Sequence, residues 1–359
     1  MFPNDPVQIK TYLLSFFISF VLSLGLAKVL IDLFMKVKPI HSFVRGLPHY
    51  PVEKNIMFFG GIAVVVPFLS TLWIFYLVGP LAGKNLYLLA VITLCLGLMF
   101  GLGLMDDVFD FKAWIKFLVQ IGIATLIYFS GLKIARVGDW ELWDGLSYFL
   151  TTLWVIGLTN AVNLIDGKDG LAGGVILLSC ATLFFIYFGR SIHEAALLSV
   201  ILSGGILGFF CFNFPPAKII LGDTGSLSIG FLASLITLLP VSQGYTERIY
   251  YIIPVIALLY PIIDTVFSFF RRVLNGKNPF QKDQEHFHHR LMRLGLTPLQ
   301  TILVLYATCL FFNLTSLVPI YYINLFPKFM PLFTIFTLIC ICALIYLLRY
   351  FEKKQQKPP

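Results

Sequence analysis

Long apolar segments separated by short polar connections make up the hydropathy pattern of this chain. Each segment holds about 20 residues, enough for a helix to cross the hydrocarbon core of a bilayer. The segments are continuous, whereas the strands of a membrane barrel alternate over segments of roughly ten residues. Because hydrocarbon cannot hydrate backbone amides, such segments cross it as helices. The pattern therefore predicts an all-α polytopic membrane protein with about 11 transmembrane helices (10–11), at residues 12–35, 57–78, 86–105, 113–130, 146–162, 171–188, 195–212, 219–239, 250–270, 300–319 and 330–348.

Lysine and arginine are distributed unequally between the two faces that the connections reach. One face receives residues 36–56, 106–112, 163–170, 213–218, 271–299 and the tail from Arg349. With the adjoining span edges, this face carries eighteen basic residues, and the opposite face carries seven. Because positively charged connections stay on the cytoplasmic side, the basic face is predicted to be cytoplasmic and the N-terminus to lie outside.

The composition agrees with a membrane protein and argues against nucleic acid as a partner. Hydrophobic residues make up 58% of the 359 residues and charged residues 12%, with a mean hydropathy of +0.87. A soluble protein carries about a quarter charged residues. The formal charge of +8 is gathered on one membrane face, where it suits membrane lipids and anionic substrates. We expect a single integral membrane domain, residues 1–359.

Four polar clusters interrupt the apolar pattern, and all four fall on the predicted cytoplasmic face. They are DDVFD at 106–110, NAVNLIDGKDG at 160–170, FNFPPAKIILGDTGS at 212–226 and HFHH at 286–289. A wrong span count would scatter them over both faces. Their agreement supports the topology and predicts that they form one shared site.

The first cluster places two adjacent carboxylates, Asp106 and Asp107, at the end of an apolar segment. Like charges repel each other, and an aspartate at membrane depth costs ~2.5–3.5 kcal/mol on insertion scales. A bound divalent cation or the nearby Lys116 would relieve both penalties. A solvated helix cap and a prenyl-diphosphate site of the DDxxD type are the alternatives for this cluster.

Oxygen-bearing side chains recur every three residues in the second cluster, at Asn163, Asp166 and Asp169. One face of a turn can present all three, and hard oxygen ligands at this density suit magnesium. In the third cluster, Asp223 lies between glycines at the start of a predicted span. The free amides of a helix N-terminus favour phosphate oxygens, and an ordinary N-cap is the alternative.

The fourth cluster lies in a predicted cytoplasmic basic loop, residues 271–299, and consists of His286, His288, His289 and Arg290. No cysteine accompanies the histidines and their surroundings are cationic, which argues against zinc. Imidazoles and cations around a polar site suit a diphosphate, and a patch for anionic lipids is the alternative. Asp264, inside the preceding span, could either face the site or hold a neighbouring helix.

In this order, the four clusters resemble the polyprenyl-phosphate N-acetylhexosamine-1-phosphate transferase family. The resemblance rests on DDVFD with the following Lys116, NAVNLIDGKDGLAGG, FNFPPAKIILGDTGSLSIGF and RRVLNGKNPFQKDQEHFHHRLMRLG, and it is closest over residues 36 to about 300. The split form HFHH, in place of three consecutive histidines, resembles the branch that transfers N-acetylglucosamine 1-phosphate. The family implies a multi-pass protein of the bacterial cytoplasmic membrane with its active site facing the cytoplasm, and dimers are common in it.

The resemblance also implies roles for individual residues. Asp223 and Asn163 match positions at a magnesium ion, for which manganese is the alternative. Asp106 and Asp107 match a carboxylate pair, of which the first is proposed as the base and the second as a metal-side or structural group. Lys116 matches a lysine that contacts phosphate. The catalytic histidines are matched by His288 and His289. The substrate-side positions are Lys54, Asn160, Asp166, Asp169, Asn213, His286 and Arg290.

Two departures from the family pattern concern the substrate. Ile220 stands where many relatives have a phenylalanine that stacks on uracil, so base stacking must use another group or be weaker. Lys168 replaces an apolar residue and is expected to add a phosphate contact.

The reaction that the resemblance implies joins a UDP-N-acetylhexosamine, such as UDP-N-acetylglucosamine, to polyprenyl phosphate and releases UMP. It would be the first membrane step of cell-envelope polysaccharide synthesis. One diphosphate is exchanged for another, so the protein must bring two anions together and shield their charge. We expect direct attack by the lipid phosphate, without a covalent intermediate on Asp223. The alternatives are a phospho-N-acetylmuramoyl-pentapeptide transferase, a UbiA-type prenyltransferase and a transporter.

Overall fold

Helices make up almost all of the chain that the computed structural model describes, namely residues 6–47, 56–77, 86–245, 247, 249–276 and 285–322. The helices are α1 (Pro6–Lys36), α2 (Lys38–Arg45), α3 (Ile62–Leu77), α4 (Leu86–Phe109), α5 (Ala113–Phe129), α6 (Asp144–Ile165), α7 (Leu171–Gly189), α8 (His193–Asn213), α9 (Gly222–Ser242), α10 (Ile249–Ala257), α11 (Leu259–Leu274), α12 (Phe287–Arg293) and α13 (Pro298–Tyr322). A short antiparallel hairpin of β1 (Arg136–Val137) and β2 (Trp140–Glu141) joins α5 to α6. The predicted all-α class is confirmed.

Seven of the described helices are long and apolar enough to cross a membrane: α1, α4, α6, α7, α8, α9 and α13. The pair α10 and α11 is bent by 75° at a short break and adds an eighth if it forms one span. Two shorter apolar helices, α3 and α5, coincide with the predicted spans 57–78 and 113–130. A multi-pass membrane protein is therefore confirmed, while the count of eleven and the sidedness of the connections stay predictions. The predicted span 330–348 lies outside the described residues.

The chain divides into two compact units, Met1–Pro254 and Val255–Pro359. In the first unit, α9 is the central helix, and it packs against α4, α6, α7, α8 and α3. In the second unit, α11 and α12 each pack against α13. The single domain expected from the sequence stays a prediction.

The central helix α9 is buried along its length because small residues occupy much of its surface. They are Gly225, Ser226, Ser228, Gly230, Ala233 and Ser234. Small side chains let membrane helices approach each other closely. At Gly103 of α4, an added Cβ would lie only 2.5 Å from the carbonyl oxygen of Asp223. This approach places the last turn of α4, with its two carboxylates, against the first turn of α9.

Two extended segments meet at the same end of the first unit. The amide of Ile220 donates to the carbonyl of Met57 at 2.8 Å, and the amide of Gly60 donates to the carbonyl of Ile220 at 2.8 Å. These bonds hold the connection before α9 against the segment before α3. Three of the four predicted clusters therefore meet within the first unit, as expected. The histidine cluster belongs to the second unit, and its convergence with the other three stays a prediction.

Candidate active site

Asp107 caps the N-terminus of α9 with both of its carboxylate oxygens. Its Oδ1 accepts the amide of Asp223 at 2.8 Å, and its Oδ2 accepts the amide of Thr224 at 2.9 Å and the Thr224 hydroxyl. A helix start leaves such amides without intrahelical partners, and an anion there is favourable. Gly222 adopts φ +70°, and a Cβ at that position would lie 2.7 Å from Asp107 Oδ2. Asp107, which is buried, therefore positions Asp223.

Lys116 lies between the carboxylates of Asp106 and Asp223 and contacts both. Its Nζ lies 2.8 Å from Asp106 Oδ2 and 3.0 Å from Asp223 Oδ2. The other oxygen of Asp106 accepts the amide of Phe111 at 2.9 Å, which fixes the carboxylate at the end of α4. The Asp106 side chain is 6% exposed, whereas that of Asp223 is 29% exposed. Asp223 is thus the carboxylate of this pair that solvent or a ligand reaches more readily.

Asn163 holds the second oxygen of Asp223. Its Nδ2 donates to Asp223 Oδ1 at 3.1 Å and to Ser226 Oγ at 2.8 Å. Ser226 lies one turn into α9, so Asn163 joins the end of α6 to the start of α9. The resemblance placed Asn163 beside Asp223, and the structure brings the two side chains into contact.

Negative charge exceeds positive charge around Asp223. Burial raises the pKa of Asp166 well above its ordinary range, and the charges of Asp223, Asp107 and Asp169 raise it further. Asp166 follows the last residue of α6 and is partly buried. Within this group, the ammonium of Lys116 contacts Asp106 and Asp223. Such an excess of carboxylates favours a bound cation.

Magnesium, which the resemblance implies, fits these donors. The Asp223 carboxylate carries hard oxygen ligands, and the Asn163 amide, whose nitrogen lies 3.1 Å from Asp223 Oδ1, carries another oxygen beside it. Magnesium commonly takes one or two protein carboxylates and completes its shell with waters and substrate phosphates. In the described part of the chain, no group of three or more His, Cys, Asp or Glu side chains is arranged as metal ligands.

Asn213 and Asp169 form hydrogen bonds between the connection that joins α6 to α7 and the one that joins α8 to α9. Asn213 Oδ1 accepts the amide of Gly170 at 2.9 Å, and Asn213 Nδ2 donates to the carbonyl of Ile219 at 2.8 Å. Asp169 Oδ2 lies 3.4 Å from the amide of Ala217. Both ends of the buried Asn213 amide are engaged with backbone, so its observed part is to brace the connections. The nucleotide-side role implied for Asn213 and Asp169 stays a prediction.

Asn160 pairs with Gln120, a residue to which the sequence had given no role. Asn160 Nδ2 donates to Gln120 Oε1 at 2.5 Å and to the carbonyl of Ile156 at 2.8 Å. Gln120 follows Lys116 by four residues, so the two share one face of α5. Gln120 also ends the string KFLVQ at 116–120, which belongs to the resemblance, so its position there and this spacing are the sequence signals that mark it.

In the second unit, Asp264 holds the residues that begin α12. Its Oδ2 lies 2.7 Å from His286 Nδ1, and its Oδ1 accepts the amide of Phe287 at 2.8 Å. Both Asp264 and His286 are almost fully buried. Arg271 on α11 contacts Glu285 at 3.2 Å. Of the two roles left open for Asp264, the structure shows that of holding a neighbouring segment.

The remaining candidate residues fall into three groups. His288 and Arg290 are buried within α12, and the ring of His289 lies 4.0 Å from that of His288 between centroids. Lys168 is partly exposed on the connection between α6 and α7. Lys54 lies outside the described residues. The substrate contacts of all five stay predictions.

Comparisons with known proteins agree with these positions. Residues 89–241 match the sequence model of glycosyl transferase family 4, a range that holds the first three polar clusters. A probable undecaprenyl-phosphate N-acetylglucosaminyl 1-phosphate transferase of Bacillus subtilis is 36% identical over 263 residues, which cover 72% of each chain. A decaprenyl-phosphate N-acetylglucosaminephosphotransferase of Mycolicibacterium smegmatis is 29% identical over 293 residues, 73% of this chain and 72% of that protein. An undecaprenyl-phosphate alpha-N-acetylglucosaminyl 1-phosphate transferase of Escherichia coli O157:H7 is 30% identical over 264 residues, 70% of each.

The similarity covers more than two thirds of this chain and of the Bacillus subtilis protein. It includes the ends of α4 and α6 and the start of α9, where Asp106, Asp107, Asn163 and Asp223 meet. The chain belongs to glycosyl transferase family 4.

Proposed function

We propose that this protein transfers N-acetylglucosamine 1-phosphate from UDP-N-acetylglucosamine to a polyprenyl phosphate such as undecaprenyl phosphate, and releases UMP. The activities for which its relatives are named support both the transferred group and the acceptor. The observation that carries the proposal is the pair of contacts to Asp223, from Asn163 to one oxygen and from Lys116 to the other. A carboxylate, an amide and an ammonium group are thus held together at the end of a bundle of apolar helices.

The charge balance of the site suits two phosphate-bearing substrates. Asp223 and Asn163 would hold magnesium, with manganese as the alternative, and the ion would neutralise charge on the nucleotide diphosphate. Lys116 is placed to exchange its carboxylate contacts for phosphate oxygens, because its ammonium is a compact charge on a flexible stem. Lys168, on the connection between α6 and α7, is proposed to supply further positive charge for the diphosphate.

The transfer step requires an oxygen of the lipid phosphate to attack the phosphorus that bears the sugar. The bond from that phosphorus to UMP breaks, so that one diphosphate bond replaces another. Asp107 is already engaged at the start of α9, whereas Asp106 is held by Lys116 and one backbone amide. We therefore assign the orientation of the lipid phosphate to Asp106. Little base strength is needed, since a phosphate monoester loses its second proton at a pKa of about 6.

The engaged state of Asp107 also argues against a prenyl-diphosphate site of the DDxxD type. In that alternative the paired carboxylates bind metal and diphosphate together. Here one of the pair is committed to two backbone amides and a hydroxyl of α9. The transferase proposal gives a role to each carboxylate, Asp106 at the lipid phosphate and Asp107 at the start of α9. The prenyltransferase alternative needs both at the metal, where Asp107 is already engaged.

The experiment is a transfer assay with purified protein in lipid nanodiscs. UDP-N-acetylglucosamine, undecaprenyl phosphate and magnesium should yield UMP and a lipid-linked sugar in equal amounts, and Asp223→Asn should yield neither. Release of inorganic diphosphate from a prenyl diphosphate would indicate the alternative reaction. UMP formation without lipid, together with a labelled protein, would contradict direct attack. Parallel reactions with other UDP-N-acetylhexosamines test which sugar is preferred.

We further propose that the protein resides in a bacterial cytoplasmic membrane with the site facing the cytoplasm and the N-terminus outside. The excess of basic residues on one predicted face supports this orientation. Single cysteines introduced at Lys168 and at Asp139, which lies in the turn of the β1–β2 hairpin, should react with impermeant maleimide from opposite sides. Labelling of both from outside intact cells would contradict the orientation.

A further inference from the structure

The side-chain amides of Gln120 and Asn160 join α5 to α6 close to the active site. Asn160 Nδ2 donates to Gln120 Oε1 at 2.5 Å, and Gln120 Nε2 lies 3.4 Å from Asn160 Oδ1. Gln120 is 1% exposed, and a buried amide is stable only when it is hydrogen-bonded. The pair therefore favours one alignment of α5 on α6.

The same two helices meet again at Asp223. Lys116 precedes Gln120 by four residues, and Asn163 follows Asn160 by three, so each pair shares one helix face. Lys116 reaches Asp223 Oδ2 at 3.0 Å, and Asn163 reaches Asp223 Oδ1 at 3.1 Å. The helices α5 and α6 are therefore joined at two places. The Gln120–Asn160 amide pair joins them directly, and Asp223 joins them through Lys116 and Asn163.

Near the site, α5 also contacts α4, where Lys116 Nζ lies 2.8 Å from Asp106 Oδ2. Its other described polar contacts to α6 lie towards its far end, from Thr125 to Tyr148 at 2.9 Å and from Tyr128 to Asp144. The outer face exposes large apolar side chains such as Trp114, and lipid gives such a face no preferred register. Because Lys116 and Gln120 lie on one face of α5, a rotation that breaks the amide pair also moves Lys116 relative to Asp223.

We infer that Gln120 and Asn160 are positioning residues for the transfer reaction. Their amide pair holds Lys116 and Asn163 on the two oxygens of Asp223, where phosphates and a divalent cation are to be bound. This inference rests on the proposed function, because the groups that the pair positions belong to that site. Asn160, which the resemblance placed on the substrate side, acts through its neighbour on α5.

The first test compares kinetics of Gln120→Leu and Asn160→Leu with those of Thr125→Val, in which a polar α5–α6 contact is lost away from the site. The leucine variants should lower kcat by about 10- to 100-fold, since a misplacement of about 1 Å can have that effect. KM for UDP-N-acetylglucosamine should change less than about threefold, and Thr125→Val should retain kcat within about twofold. The double variant should lose no more than either single one, because both remove the same interaction.

The second test measures the reactivity of Lys116 without reference to activity. Reductive methylation followed by mass spectrometry should modify Lys116 faster in Gln120→Leu than in the wild-type protein or in Thr125→Val. If the leucine variants fail to fold, Gln120→Asn and the exchanged pair Gln120→Asn/Asn160→Gln replace them. The exchange restores the combined length of the two amide side chains, and it should recover kcat lost in Gln120→Asn.

Failure of this inference is distinguishable from failure of the proposed function. Unchanged kcat and unchanged Lys116 reactivity in Gln120→Leu would overturn it, as would equal losses of kcat in Gln120→Leu and Thr125→Val. If the wild-type protein performs no transfer but Lys116 becomes more reactive in Gln120→Leu, the positioning stands and the proposed function is wrong.

Discussion

Asp107 accepts the backbone amide of Asp223 at 2.8 Å, so one member of the carboxylate pair holds the residue that we propose faces the substrates. Its neighbour Asp106 has a different partner, the ammonium of Lys116. Consecutive residues on a helix point about 100° apart. Two adjacent carboxylates can therefore serve separate purposes, and this division predicts different responses to substitution.

Asp107→Leu should lower both stability and turnover, whereas Asp106→Asn should lower turnover alone. Loss of a helix cap costs about 0.5–2 kcal/mol, and the freed amides at the start of α9 are buried. Asp106→Asn keeps an acceptor for the amide of Phe111 and alters mainly the charge beside Lys116. Thermal unfolding in detergent and UMP release measure the two effects. Equal unfolding temperatures for both variants would contradict the capping role.

Gly222→Ala should be more damaging than a comparable substitution at another left-handed glycine. Gly222 adopts φ +70°, and its added Cβ would lie 2.7 Å from Asp107 Oδ2. Left-handed backbone at a residue with a side chain costs of order 1–3 kcal/mol, and the clash adds to it. Gly131→Ala is the matched control, because Gly131 has φ +92° and no neighbour within 4 Å. Turnover should be lost in Gly222→Ala and retained in Gly131→Ala.

Removal of divalent cations should stop the reaction reversibly. EDTA should abolish UMP release, and added magnesium or manganese should restore it, because the carboxylates outnumber the cations around Asp223. Asp223→Asn should show no recovery, and its manganese binding, followed by electron paramagnetic resonance in the presence of UDP-N-acetylglucosamine, should be weakened by at least about tenfold. Full activity in EDTA would show that the site works without a metal.

Asp264→Leu should destabilise the start of α12 more than Asp264→Asn does. The asparagine retains an acceptor for the amide of Phe287, while leucine leaves that amide and His286 without their buried partner, a loss of about 1–3 kcal/mol. Limited proteolysis and turnover report on the change. Thr265→Val is the control, since among the described residues the Thr265 hydroxyl has no hydrogen-bond partner. Identical proteolysis of all three variants would argue that Asp264 does not hold this segment.

The sequence identified most of the residues that meet at Asp223 but not the contacts between them. Asp106, Asp107, Lys116 and Asn163 were each candidates from motif or resemblance. Their partners lie far away along the chain: the bond between Asp107 and Asp223 joins residues 116 positions apart. Such distances depend on how α4, α5 and α6 pack around α9, which no local pattern encodes.

Hydropathy by itself determined that the chain is an all-α membrane protein. Each span must hydrogen-bond its own backbone amides as a helix, so it is visible in the sequence as a continuous apolar segment. Motif order by itself pointed to the transferase family. Only the tertiary structure decided that Asp107 is a cap, that Asp264 holds His286, and that Gln120 pairs with Asn160. A hydrogen bond depends on distances of a few tenths of an ångström, and those distances are set when the helices pack against each other.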